Sequence, residues 1–134
     1  MSSERPRFSL FAYGTLQDKR VMRAVTGKEF PARVVLLKGY RRNRVTNTDY
    51  PGIVADSTQQ VAGQLLQGVD EDSLHALDRF EGEYYERHTV EVSDQNGILH
   101  RCDVYVIAPQ WQHILGSEAW SLEEFQRIGY QRFR

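Results

Sequence analysis

"LDRFEGEYYERHTVEV" (77–92) is the stretch that decides the fold, because the spacing of its apolar residues changes within it. Its first half completes the segment 69–82, in which apolar residues recur at helical spacing. Asp70 is a suitable N-cap for this helix, and Gly82 is a suitable stop. Its second half, 85–92, alternates as a half-buried strand does. We therefore predict a helix that passes directly into a strand.

Strand-like segments dominate the chain around this stretch. They cover 7–14, 32–45 with a bend at Gly39, two short pieces at 52–57 and 60–69, and 98–108, which we expect to form a hairpin with 85–92. Helices are predicted at 15–27 and at 121–133, where Ser121 and Glu124 form a capping box. The pattern predicts one α+β domain over residues 1–134, whose largely antiparallel sheet curls into a small barrel with a few flanking helices.

Charge and cysteine content narrow the class of protein. The chain has 17 basic and 18 acidic residues in 134, a balance that argues against binding dominated by nucleic-acid phosphates. Cys102 is the single cysteine, so no internal disulfide forms. The first 14 residues contain no secretory-signal pattern, and no segment is long and apolar enough to span a membrane. We expect a cytoplasmic protein without a membrane partner, and the oligomeric state is left open.

Glu81 is the unusual carboxylate among the five acids of the opening stretch. On a helical wheel it falls inside the apolar stripe formed by Leu74, Leu77 and Phe80. Burial and the negative end of the helix both disfavour its charge, so we expect its pKa to be raised towards the range useful for proton transfer. The alternative is a frayed helix end, with Glu81 paired to Arg79 or Arg87 in solvent.

The turn "AYGTL" (12–16) is the second informative feature. A strand runs into Gly14 and a helix start follows, which leaves the backbone N–H groups of Gly14, Thr15 and Leu16 partly free. Such a turn is suited to binding a carboxylate or a developing oxyanion. It is not a P-loop, because the chain contains no GxxxxGK[ST] pattern.

Together, the order of "YGTL", "YPG" (50–52) and "LDRFEGEYYERHTVEV" resembles that of the γ-glutamylcyclotransferase-like family, especially its small branch that includes the plant avirulence-induced proteins. The likeness runs from about Phe8 to Ala108, and "WSLEEF" (120–125) resembles the C-terminal helix of that branch. The resemblance implies a mixed α/β fold around a small β-barrel with a cavity at one end. It implies a cofactor-independent enzyme that acts on a small γ-glutamyl substrate.

The resemblance also assigns roles to individual residues. It implies that Tyr13, Gly14, Thr15 and Leu16 form the substrate-binding loop, that Glu81 is the catalytic acid and base, and that Tyr85 walls the pocket. Glu83 is a reserve catalytic candidate, because one branch of the family keeps only a later "GGEY" pattern. The implied reaction releases 5-oxoproline from a γ-glutamyl amine or dipeptide, as a γ-glutamylcyclotransferase or γ-glutamylamine cyclotransferase does. A non-catalytic binding or regulatory module on the same fold is the main alternative.

Three weaker alternatives rest on isolated features. "KGYRRNR" (38–44) suggests a nucleic-acid surface, although a charged strand edge that protects against aggregation is the simpler interpretation. Cys102 and His100 share a strand face and suggest a thiol enzyme, but a lone cysteine in an apolar row is more often a core residue. The four histidines show no metal-ligand spacing, so we predict no metal. The segment 109–120 is a candidate lid by its position.

Overall fold

A computed structural model describes residues 5–133, so the first four residues of the segment searched for a secretory signal lie outside it. Five strands form a closed barrel in the order β1-β3-β2-β4-β5. They are β1 (Arg7–Ala12), β2 (Ala32–Arg44), β3 (Pro51–Asp70), β4 (Tyr85–Asp94) and β5 (Leu99–Ile107). All the neighbouring strands pair antiparallel except β1 and β5, which close the barrel through a parallel contact at Leu10 and Asp103. The predicted α+β class and largely antiparallel barrel are confirmed.

The first helical segment begins later than predicted. Residues Thr15–Gln17 form a 3₁₀ turn, and α1 spans only Lys19–Thr26. Asp18 is the N-cap and accepts a hydrogen bond from the backbone N–H of Arg20. Because this carboxylate provides the cap, the helix starts there rather than at Thr15. Gly27 ends the helix with a left-handed φ of 75°.

The strand β3 joins the two short strands that were predicted separately. Its register against β2 shifts between Lys38 and Tyr40, so that Lys38 pairs with Gln60 and Tyr40 with Ala55. Gly39 lies at this shift with a φ of 87°, a conformation that glycine adopts without strain. The bend predicted at Gly39 is confirmed, whereas the predicted break in the partner strand is a bulge within one strand.

The helix α2 spans Glu71–Glu81 and follows β3 directly. Asp70 caps it by accepting from the Ser73 N–H at 3.2 Å, and Gly82 ends it with a φ of 75°. Leu74 and Leu77 are fully buried against the barrel, as the wheel predicted. A 3₁₀ turn, Gly82–Tyr84, then leads into β4. The predicted switch from helix to strand is confirmed, and it brings the end of α2 to one end of the barrel.

The C-terminal helix is interrupted. Ser121 caps α3 (Leu122–Glu124), a π-helical segment (Phe125–Gly129) follows, and α4 (Tyr130–Phe133) completes it. Phe125 and Trp120 are buried in the same core cluster as Leu74 and Leu77. No helix among residues 5–133 has the length and apolar character needed to cross a membrane.

Candidate functional site

A cavity of about 300 Å³ lies where the YGTL turn, the end of α2 and the start of β4 meet. This volume is at the lower end of the range of small-molecule pockets, ~300–1,000 Å³. Every residue that the sequence singled out for the site lines this cavity: residues 13–16, Glu81, Glu83 and Tyr85. The structure therefore brings together segments that are about 65 residues apart in the chain. The catalytic and binding roles of these residues stay predictions.

Glu81 lies in the cavity wall without a compensating partner. No hydrogen bond or ion pair joins its carboxyl group to another residue within 5–133. The side chain is half-buried, and burial raises its pKa from an ordinary 4.5 to about 8. The alternative of a solvated pair with Arg79 or Arg87 does not match this arrangement, because Arg87 binds Asp78 and Asp103 instead.

Tyrosines surround the carboxyl group of Glu81. Its negative charge contributes to the raised pKa of four tyrosines, after burial as the main cause: Tyr13, Tyr50, Tyr85 and Tyr105. Two of these hydroxyl groups are committed to backbone carbonyls, since Tyr13 donates to Tyr105 and Tyr85 donates to Pro51, each at 2.7 Å. These bonds fix both rings, so the cavity wall is rigid on these sides. With their pKa values raised, the tyrosines stay neutral hydroxyls near neutral pH.

The YGTL turn packs directly on the YPG segment. A Cβ atom added to Gly14 would lie 2.8 Å from Cγ of Pro51, so only glycine fits without displacing the proline. The first hydrogen bond of the turn runs from the Gln17 N–H to the Gly14 carbonyl. The N–H groups of Gly14, Thr15 and Leu16 precede that bond and are therefore not used within the turn. This leaves donors at the cavity wall on the side of the turn.

Several lining residues were missed by the sequence reasoning. Phe80 was predicted as part of the apolar stripe with Leu74 and Leu77, but it is 39% exposed and faces the cavity beside Phe133 of α4. Tyr50 joins them through an edge contact with Phe133, with ring centroids 6.3 Å apart. Tyr50 is the first residue of the YPG motif, so this motif could have identified it as a lining residue. Phe133 gave no such signal, because only the packing of the C-terminal helix brings it to the cavity.

The other candidate features lie away from the cavity or are committed to the protein. Cys102 is 4% exposed, and burial raises the pKa of its thiol to about 12, so little thiolate forms near neutral pH. The His100 ring is hydrogen-bonded to Asp94 at 2.8 Å. No residue of 109–120 lines the cavity, so the segment proposed as a lid does not cover it in this structure. No cluster of three potential metal ligands occurs within residues 5–133.

The basic segment 38–44 is largely engaged within the protein. Arg41 lies 3.7 Å from Asp56, and Arg44 forms an ion pair with Glu124 at 3.3 Å. Arg42 donates to the backbone carbonyls of Tyr13 and Ala62. These contacts draw the three arginines towards different neighbours, so they do not form the continuous basic surface that nucleic-acid binding requires.

The fold and cavity together define a class of protein: a small α+β barrel with a cavity at one end, whose wall contains a half-buried carboxyl group that has no partner among residues 5–133. Residues 10–122 match the family model described as "Gamma-glutamyl cyclotransferase, AIG2-like". The chain belongs to this family, as its motifs indicated.

Individual relatives agree with this assignment. The chain is 37% identical to AIG2-like protein C of Arabidopsis thaliana over 69% of its own length, and the match spans about half of that relative, 54%. It is 28% identical to another Arabidopsis thaliana protein of known solution structure, with a TM-score of 0.76 and coverage of 99% of this chain and 81% of that one. A structure described as a gamma-glutamyl cyclotransferase shares the fold, with a TM-score of 0.67 at 20% identity and coverage of 81% and 76%.

Proposed function

We propose that this protein is a cyclotransferase that releases 5-oxoproline from a γ-glutamyl amine, with Glu81 as the general acid and base. The observation that carries the proposal is the position of Glu81, an unpaired carboxyl group with a pKa of about 8 in the wall of the cavity. A carboxyl group with a pKa near neutrality can both accept a proton and return it. Most carboxylates in proteins cannot do this, because they are ionised far below neutral pH.

The proton balance of the proposed reaction requires one such group. The α-amine of the substrate is mostly an ammonium near pH 7, and it must lose a proton before its nitrogen attacks the γ-carbonyl carbon. Glu81 in its ionised form accepts this proton, and a C–N bond forms as the five-membered ring closes. The tetrahedral intermediate then collapses: Glu81 gives its proton to the leaving nitrogen as the C–N bond to that nitrogen breaks. The ring nitrogen loses its second proton as it becomes a lactam amide, and the released amine takes up that proton. The products are 5-oxoproline and the free amine, so neither a metal nor a cofactor is part of the proposal.

The rest of the cavity supports binding and orientation in this proposal. The backbone N–H groups of residues 14–16 hold the α-carboxylate or the developing oxyanion. The rigid rings of Tyr13 and Tyr85 confine the γ-glutamyl chain in the folded shape that ring closure needs. Since the reaction is intramolecular, this confinement supplies a large part of the rate.

The charges of the cavity favour an amine over a dipeptide as the substrate class. Among residues 5–133, its acidic lining residues are Glu81 and Glu83, and no lysine, arginine or histidine of this range lines it. A dipeptide would bring a further carboxylate on the leaving side, which this lining repels. The aromatic side chains of Tyr50, Phe80 and Phe133 offer apolar contacts to the leaving amine instead.

The decisive experiment compares two neighbouring carboxylates in the same assay. Purified protein is incubated with a mixture of γ-glutamyl amines, γ-glutamyl-lysine and γ-glutamyl dipeptides, and mass spectrometry detects 5-oxoproline. We expect Glu81→Gln to lower turnover by about 10²–10⁴-fold, the usual contribution of a general acid or base. Glu83→Gln is the matched control, because Glu83 lines the same cavity but is exposed, and we expect it to keep most of the activity.

The opposite result identifies the alternative. If Glu83→Gln is inactive while Glu81→Gln turns over normally, Glu83 is the acid and base. If the wild-type protein binds γ-glutamyl compounds but releases no 5-oxoproline from any of them, it is a binding module on this fold.

A further inference from the structure

Arg42 contacts the proposed binding loop from outside the cavity. Its Nη1 donates to the Tyr13 carbonyl oxygen at 2.7 Å and to the Ala62 carbonyl at 3.3 Å. Its guanidinium also lies 5.4 Å from the ring centroid of Trp120. Arg42 does not line the cavity that contains Gly14 and Glu81. The side chain therefore contacts the YGTL turn without entering the cavity.

The charge of Arg42 is not neutralised by a carboxylate. No ion pair joins it to an acidic side chain in the part of the chain that the structure describes. The guanidinium is half-buried, and burial lowers its pKa. An uncompensated cation in such surroundings acts on neighbouring dipoles with less screening than an exposed one. Its shortest hydrogen bond is to the Tyr13 carbonyl, so that dipole receives the strongest effect.

The Tyr13 carbonyl and the Gly14 N–H belong to one peptide group. Because all the described peptide bonds are trans, this carbonyl and this N–H point in opposite directions. With the carbonyl directed at Arg42 outside the cavity, the N–H is directed to the cavity side. Within residues 5–133 this N–H donates to no other residue, so it is available to a ligand. A hydrogen bond to the carbonyl polarises the whole peptide group and strengthens its N–H as a donor.

We infer that Arg42 is a positioning residue, which orients and polarises the Tyr13–Gly14 peptide so that the Gly14 N–H binds the anionic group of the substrate. This inference deepens the proposed function and rests on it for the identity of the anion. It also explains why an arginine of the basic segment 38–44 points at the protein. The effect passes through the peptide, so Arg42 itself does not touch the substrate.

The test uses Arg42→Gln and Arg42→Lys, with Arg41→Gln as the matched control. Arg41 is the adjacent arginine on the same strand, and its contacts are to Asn43 and Asp56 rather than to the turn. We expect Arg42→Gln to weaken 5-oxoproline binding or to lower kcat/KM by about tenfold, because the Gly14 N–H remains but is no longer polarised and oriented by the arginine. Arg42→Lys keeps the charge and should recover part of this loss. Arg41→Gln should change both quantities by less than about twofold.

A second measurement separates polarisation from a merely structural role. The ¹H and ¹⁵N chemical shifts of the Gly14 amide report the hydrogen bond at the Tyr13 carbonyl directly. We expect them to move in Arg42→Gln, to move less in Arg42→Lys and to stay unchanged in Arg41→Gln, with the rest of the spectrum preserved. If Arg42→Gln does not fold, the lysine variant alone decides by the same shifts and affinities.

The outcomes distinguish this inference from the proposed function. A rise in KM together with weaker product binding assigns the Gly14 N–H to the carboxylate, and a fall in kcat assigns it to the oxyanion; either supports the inference. If the wild type shows no turnover, weaker 5-oxoproline binding at Gly14 in Arg42→Gln still supports the role of Arg42. Equal affinity and rate in the Arg42 variants and Arg41→Gln overturn it. So does the absence of any 5-oxoproline effect on the wild-type Gly14 amide.

Discussion

Two carboxyl groups one turn apart on α2 lie in opposite surroundings. Asp78 is held on the outside of the barrel, where Arg87 donates to it at 2.9 and 3.2 Å and Tyr105 donates to it at 2.8 Å. Glu81 faces the cavity, and burial raises its pKa to about 8. The helix therefore uses one acid to attach itself to the barrel, and the next one is the group that we propose as the general acid and base. The two acids differ in whether a partner binds the carboxyl group, and not in burial alone.

The largest expected effect concerns the rate and its dependence on pH. If Glu81 must be ionised to accept the proton, turnover should rise with pH up to about 8, by about tenfold per pH unit below that value. NMR titration of ¹³C-labelled glutamate carboxyl groups should show one group with a midpoint near pH 8, which disappears in Glu81→Gln. Asp78→Asn should leave this midpoint in place. A Glu81 midpoint near 4.5 would contradict the raised pKa of this group.

The next effect is on stability, and its sign is unusual for a carboxylate. Between pH 4.5 and 8 the unfolded chain ionises Glu81 while the folded protein keeps its proton, so the free energy of unfolding falls as the pH rises. Below about pH 4.5 both states are protonated and the penalty vanishes. We expect Glu81→Gln to become more stable than the wild type as the pH rises from 4 to 8, by a few kcal/mol, with ~5 kcal/mol as the ceiling.

Denaturant unfolding of the two proteins at pH 4 and pH 8 measures this difference. Glu83→Gln is again the control, since its exposed carboxyl group should produce no comparable change. A gap between wild type and Glu81→Gln that stays the same at both pH values would contradict the burial of an uncompensated acid.

The smallest effect is expected at the paired acid. Asp78→Asn removes the charge that Arg87 binds, and we expect it to destabilise the protein by about 1 kcal/mol, because the pair is partly exposed. At pH 8, Asp78→Asn should lower the free energy of unfolding, whereas Glu81→Gln should raise it. Thermal unfolding at pH 8 compares the two variants directly. If both substitutions stabilise the protein, pairing does not explain the contrast on α2.

The position of Glu81 could be predicted from sequence because it depends on local rules. Helical periodicity, the Asp70 cap and the Gly82 stop fix where α2 begins and ends, and hence which face Glu81 occupies. The segment 51–70 was harder to predict, since the exposed polar residues 58–59 interrupt the apolar pattern as a turn would, although they lie within one bulged strand. Phe133 reaches the cavity through packing between distant segments, and no local pattern encodes that contact.

The contact between Gly14 and Pro51 has a consequence for how this site can vary. The two residues are 37 positions apart, yet each limits the size of the other, because a Cβ atom at position 14 would overlap the proline ring. A substitution at either position is thus judged in the context of the other, and a larger residue at 14 requires a smaller one at 51. The "YGTL" and "YPG" motifs form one steric unit, which two separate motif searches would treat as independent.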